Sequence, residues 1–126
     1  MGPMDIRTKR VYDEPADDDG FRVLVDRLWP RGVSKERARA DLWLKDVAPS
    51  DELRRWFHHE SPRFAEFARR YRAELDDNPA VGELREVAGK HDVVTLLYGA
   101  RDETENQAVV LRDYLTGEGA GAAGAG

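Results

Sequence analysis

Val93-Val94-Thr95-Leu96-Leu97-Tyr98, turned at once by Gly99-Ala100-Arg101, is the stretch on which the fold depends. It is too short and too β-branched for a helix and reads as a strand. Phe21-Arg22-Val23-Leu24-Val25-Asp26-Arg27 is its counterpart, a strand whose nearly continuous apolar centre suits burial on both faces. Trp29-Pro30-Arg31-Gly32 stops it, because Pro has no ladder donor and Gly permits a turn.

Upstream, Ile6 to Tyr12 alternates loosely and is rich in β-formers, which predicts a strand; the acidic segment Asp13 to Gly20 is a solvated loop. Downstream, Ser34 to Arg39 reads as a short polar helix and Leu42 to Val47 as a third strand. Ser50 ahead of Asp51 and Glu52 is an N-cap for a helix burying Leu53, Trp56 and Phe57. Ser61-Pro62 opens a helix carrying Phe64, Phe67, Ala68, Tyr71 and Leu75 at helical spacing. Asn78-Pro79 opens another through Val81, Leu84 and Val87, closed by Gly89. Asp102 with Glu105 resembles a capping box for a last helix ending near Leu115.

Apolar strands separated by helices predict a single α/β domain over residues 5–116: a small, mainly parallel sheet of about four strands with helices packed on its faces. Residues 117–126, Gly and Ala apart from Glu118, read as a flexible tail. Strand order is not encoded in this pattern, and the first two strands, joined by the acidic loop, could equally form an antiparallel pair.

Composition narrows the function. Of 126 residues, 40% are hydrophobic and 36% charged, enough apolar surface for one core. A net charge of −5 speaks against a dedicated non-specific nucleic-acid binder. With no cysteine there is no disulfide framework, thiolate nucleophile or Cys-ligated metal. No segment reaches the roughly 20 apolar residues of a membrane span. The first residues carry charge where a signal peptide would be apolar, so the expected compartment is the cytoplasm. Phosphate-binding P-loop, Gly-x-Gly-x-x-Gly and Gly-x-Ser-x-Gly patterns are all absent, and no motif calls for a cofactor.

Ligands of open parallel sheets bind beyond the carboxyl ends of the strands. That rule selects Asp26 to Gly32 and Tyr98 to Asn106. Arg27, Arg31 and Arg101 are the expected anion contacts, supplemented by Lys45, because fixed guanidinium forks suit phosphate, sulfate or carboxylate. Asp26 and His58 are the candidate proton-transfer groups, Trp29 and Tyr98 the walls, with Asn106 completing the set. The competing reading is structural: Arg27 and Arg31 pair with acids such as Asp26 and Asp46, and Trp29 plugs the core. His58 and His59 are adjacent rather than four apart, so no metal site is expected. Arginines among Phe64, Phe67 and Tyr71 could touch nucleic acid, but Glu66, Glu74, Asp76 and Asp77 dilute the patch.

Lys9-Arg10-Val11-Tyr12-Asp13 and the run Gly20 to Gly32, with Val25-Asp26-Arg27-Leu28-Trp29-Pro30-Arg31-Gly32 at its heart, strongly resemble the YeaO-like bacterial proteins of a domain-of-unknown-function family. The resemblance continues through Trp43-x-Lys45, Ala48-Pro49-Ser50, Leu53-Arg54, Phe57-His58, Thr95 to Tyr98 and Asn106, covering Ile6 to Leu115. It implies a small cytoplasmic α/β domain and brings no established activity. Other branches of the wider family carry a Cys in place of Tyr98 and a Cys-His-Arg segment near Asn106-Gln107-Ala108; this chain has neither. The expectation is therefore a small-anion pocket in an α/β domain, with no reaction named. The rival is a non-catalytic interaction module anchored by Trp29, Trp43 or Trp56.

Overall fold

The computed structural model describes residues 5–58 and 60–117. The proposed tail from Glu118 onward, the first four residues and His59 lie outside them. In chain order come β1 (Asp5–Arg10), β2 (Phe21–Leu24), α1 (Lys35–Ala38), β3 (Leu42–Trp43), α2 (Asp51–Phe57), α3 (Phe64–Asp76), α4 (Ala80–Gly89), β4 (Val93–Tyr98) and α5 (Gln107–Thr116).

The strands form one sheet in the order β1-β4-β2-β3, every pairing parallel. The last strand in the chain enters the middle, with Val94 opposite Ile6 on one side and Phe21 on the other. The first two strands are thus separated by β4, which removes the antiparallel alternative. Backbone bonds continue past the strand ends, from Val11 N–H to the Tyr98 carbonyl at 2.8 Å and from Val25 N–H to that of Leu97 at 3.1 Å. A central position explains the composition of β4, in which Val94 through Tyr98 are all buried.

The two faces are covered unequally. Val23, Val25, Val94, Leu96 and Tyr98 point to one side, where α2, α3, α4 and α5 contribute Leu53, Phe67, Tyr71, Leu84 and Leu111 to the main core. Leu24 and Leu97 point to the other, where Val11, Val33 and Ala38 make a smaller cluster. That second face also takes charge. Asp19, just before β2, is buried against Lys9 and Arg22, and Arg22 also donates to the Ala38 and Arg39 carbonyls. The Thr95 hydroxyl donates to the Asp19 carbonyl at 2.6 Å. Burial alone would raise the Asp19 carboxyl, but the Ala16 N–H, Lys9 and Arg22 together hold it below its ordinary value. Gly20 completes this corner with φ +67°; a Cβ there would lie 2.2 Å from the Val93 carbonyl oxygen.

Local signals held at most helix starts. The Ser34 hydroxyl accepts from Arg37 N–H and that of Ser50 from Leu53 N–H, each capping its helix. Several boundaries differ from the sequence reading: β1 ends at Arg10 rather than Tyr12, and β2 at Leu24 rather than Arg27. Only Leu42–Trp43 pairs as β3, and Lys45–Val47 is a single 3-10 turn. Ser61–Arg63 forms a similar turn ahead of α3. α5 is capped by Asn106, whose Oδ1 accepts from Val109 N–H at 3.0 Å; Asp102 instead closes a turn by accepting from Thr104 and Glu105 N–H. Among the described residues no helix is long and apolar enough to cross a membrane.

Candidate functional site

Because every strand is parallel, all carboxyl ends lie on one edge, and the loops leaving them converge there. They enclose a cleft of about 520 Å³. Residues 26–31, leaving β2, form one wall, and Ala48-Pro49 with Arg54, Arg55, Phe57 and His58 of the α2 region form the other. Gly99 and Ala100 after β4, Gln107 opening α5, Phe67 and Tyr12 complete it.

Asp26 is half-buried in this cleft, and its partners are neutral. Its Oδ2 accepts from Gly99 N–H at 2.9 Å, and its Oδ1 accepts from the Gln107 side-chain amide. Desolvation raises the carboxyl from 3.8 to about 6, and the two hydrogen bonds and the Arg54 charge offset only part of that rise. The hydrogen-bond partners of the Asp26 carboxyl are thus a peptide N–H and an amide, not an arginine. The approach to Gly99 is close: a Cβ at that position would sit 2.9 Å from Asp26 Oδ2.

Four arginines line the same cleft, Arg27, Arg31, Arg54 and Arg55. Arg27 donates to the Ala48 carbonyl at 3.2 Å and that of Pro49 at 3.4 Å, and lies 3.8 Å from Asp51. Arg54 pairs with Asp51, while its Nε is buried without a hydrogen-bond partner. Arg31 is exposed; the Tyr12 hydroxyl donates to its carbonyl at 2.9 Å, which fixes the backbone of the wall. Neither Arg27 nor Arg31 pairs with Asp26 or Asp46; Arg27 meets a different acid, Asp51, so the structural reading of that arginine is realised with another partner. Trp29 donates to the Val33 carbonyl and meets Trp43 edge-on at 5.3 Å between ring centroids. His58 caps α2 in the left-handed conformation, φ 46°, with its N–H donating to the Arg54 carbonyl.

Of the residues singled out in the sequence, Asp26, Arg27, Trp29, Arg31 and His58 come together here. Lys45 lies instead over the Trp43 ring at 5.6 Å, and Tyr98 is buried in the main core. Asn106 is consumed in capping α5 and in donating to the Asp102 carbonyl at 2.7 Å. Arg101 is exposed in the β4–α5 loop and does not line the cleft. Arg54, Arg55 and Gln107 were not selected as site residues from the sequence. The available signal was Ala48-Pro49-Ser50, which starts α2 beside the strand ends, so that the face of α2 carrying Arg54 and His58 borders the loops. No group of three or more potential metal ligands occurs among the described residues.

The comparisons with known proteins establish the family. Residues 5–124 match the family described as "Inactive DUF488-N3 subclade". The chain belongs to that subclade. It is 46% identical over 112 residues to the uncharacterised protein YeaO of Escherichia coli K12, covering 89% of this chain and 97% of YeaO. It is 49% identical over 112 residues to an uncharacterised protein of Mycobacterium tuberculosis H37Rv, covering 89% of this chain and 94% of that one. An uncharacterised protein of Mycobacterium bovis matches with the same identity and coverage. No solved structure matches the chain significantly. The resemblance to YeaO-like proteins is thus a family membership, and it spans both cleft walls.

Proposed function

We propose that the cleft binds a small ligand bearing a phosphate or carboxylate group, held by Arg27, Arg31, Arg54 and Arg55. The observation that carries this reading is the local reversal of charge. A chain of net charge −5 gathers four arginines around a cleft whose lining contains a single carboxylate. The subclade's description as inactive favours binding over catalysis. Asp26 and His58 then act as ligand contacts rather than proton carriers.

Calorimetry and thermal shift with inorganic phosphate, sulfate and citrate test the proposal on the wild type, Arg31→Ala and Arg101→Ala. A bound anion at about a hundred times its Kd adds roughly 2.7 kcal/mol of stability. Arg31→Ala should lose this response and Arg101→Ala should keep it. No response to any anion, or an equal loss in both variants, overturns the proposal.

The alternative of a protein-interaction surface draws on Leu28, which lines the cleft, and on Trp43; they are 66% and 39% exposed. Trp43 is nonetheless engaged by Trp29 and Lys45, and Trp56 lies between Arg63 and Arg70. The tryptophans therefore support the anion reading better than a bare docking face.

A further inference from the structure

Asp26 makes little sense as a stabilising group. A half-buried carboxylate in an arginine-lined cleft would ordinarily take a guanidinium partner, yet Arg27 turns to two carbonyls and Asp51, and Arg54 turns to Asp51 as well. Its two hydrogen bonds come instead from groups that hold it in place, the Gly99 N–H on Oδ2 and the Gln107 amide on Oδ1. A carboxylate offers about four lone-pair positions, so each oxygen keeps one for a further donor. Gln107 also lines the cleft, and its side-chain carbonyl adds another acceptor beside them. The seat depends on the missing side chain at Gly99, where a Cβ would press on Oδ2 at 2.9 Å. The cleft thus presents donors at its arginines and acceptors at Asp26 and Gln107, in a space of about 520 Å³ that far exceeds an inorganic anion.

Resting on the anion-binding reading, we propose that the ligand is a hydroxylated phosphate ester, whose phosphate meets the arginines and whose hydroxyl groups donate to Asp26. A sugar phosphate and a nucleoside monophosphate share that chemistry. Specificity follows from the acceptor: a site built to receive a hydroxyl discriminates strongly against an analogue lacking it, because the buried polar group is left unpaired.

The experiment compares glycerol 3-phosphate with propyl phosphate, of nearly equal size but without hydroxyls, by calorimetry at pH 7.5. Inorganic phosphate, ribose 5-phosphate and AMP complete the series. Glycerol 3-phosphate and ribose 5-phosphate should bind about tenfold or more tighter than propyl phosphate, the scale of one hydrogen bond to a charged group. Asp26→Asn, checked for folding by its thermal transition, should lose that advantage, read as the ratio of the glycerol 3-phosphate and propyl phosphate affinities within the variant. Binding of ribose 5-phosphate equal to that of AMP points to the sugar phosphate as the recognised unit; tighter AMP points to the nucleotide, and either supports the proposal. Equal binding of glycerol 3-phosphate and propyl phosphate overturns it while leaving the anion site standing. So does an Asp26→Asn variant that keeps the full advantage. Absence of binding by every phosphate defeats the anion reading itself, and this proposal with it. The wild-type comparison decides the matter even if the variant does not fold.

Discussion

Asp19 and Asp26 stand on either side of β2, and the chain treats them in opposite ways. Asp19 is buried on the less covered face, where Lys9 and Arg22 neutralise it and Ala16 donates a backbone hydrogen bond. Asp26 lies in the cleft beyond the strand end with only an amide and a peptide N–H for company. The first carboxyl is held below its ordinary value and the second is raised to about 6. One end of the strand is built as a closed electrostatic unit, and at the other the arginines pair elsewhere and leave Asp26 to neutral donors. Structural acids are paired where they are buried; a carboxylate in a cleft held by neutral donors alone is a candidate functional group.

The largest effect expected from breaking this contrast is at the paired end. Asp19→Ala leaves Arg22 buried at 5% exposure without its carboxylate. Removing one member of a buried pair costs about 3 kcal/mol or more, and a melting temperature lower by on the order of 10 °C should follow. The same carboxyl sets an acid limit. Because its folded value is depressed, its contribution is present above the unfolded value near 4 and is lost as pH falls through the folded one. Urea denaturation of the wild type and Asp19→Ala at pH 7 and pH 3 should show the gap narrowing in acid. A gap independent of pH would mean that Asp19 acts through packing alone.

The paired end was also the less visible one in the sequence. Asp19 sits in an acidic loop with four other carboxylates, and nothing local distinguishes it from its solvated neighbours. Its burial depends on β4 entering between β1 and β2, which brings Thr95 against the loop, and a pairing across more than seventy residues leaves no periodic trace. The β4 strand itself was legible, because β-branched residues in a short apolar run have few other uses. So was the site edge, since Asp26, Arg27 and Arg31 directly follow a strand. Arg54 and Arg55 escaped notice because helix arginines usually face solvent; only the fold shows that α2 forms a wall. Asp102 reads as the cap of the last helix, but the fold gives that place to Asn106, whose side chain is buried while it caps.

At the open end the sign reverses. Asp26 binds its proton more tightly folded than unfolded, so its contribution is greatest below the unfolded value near 4 and is lost as pH rises through about 6. Between pH 5 and pH 7.5 the wild type should lose about 1 kcal/mol relative to Asp26→Asn, after allowance for its partial exposure. Chemical denaturation at the two pH values measures this. A constant difference between the proteins would place the carboxyl in ordinary solvent. Gly99→Ala probes the seat of the same group at about 1 kcal/mol, because the new Cβ must displace a carboxyl oxygen at 2.9 Å. It should lower stability slightly and shift the Asp26 titration, observable by NMR; an unmoved titration would show that the carboxyl tolerates the methyl group.

The smallest effect sharpens the comparison most. His58 closes α2 with φ 46° while lining the cleft, a conformation that a glycine adopts without strain. His58→Gly should therefore raise stability by about 0.5–1 kcal/mol, a gain of a few degrees in melting temperature. Its consequence for binding separates two roles. If the imidazole contacts the anion, the more stable variant binds phosphate more weakly, and the strain at the end of α2 is the counterpart of the unpaired carboxyl across the cleft. If affinity is unchanged, His58 only terminates the helix, and the contrast between a closed structural end and an open binding end rests on Asp26 and the arginines.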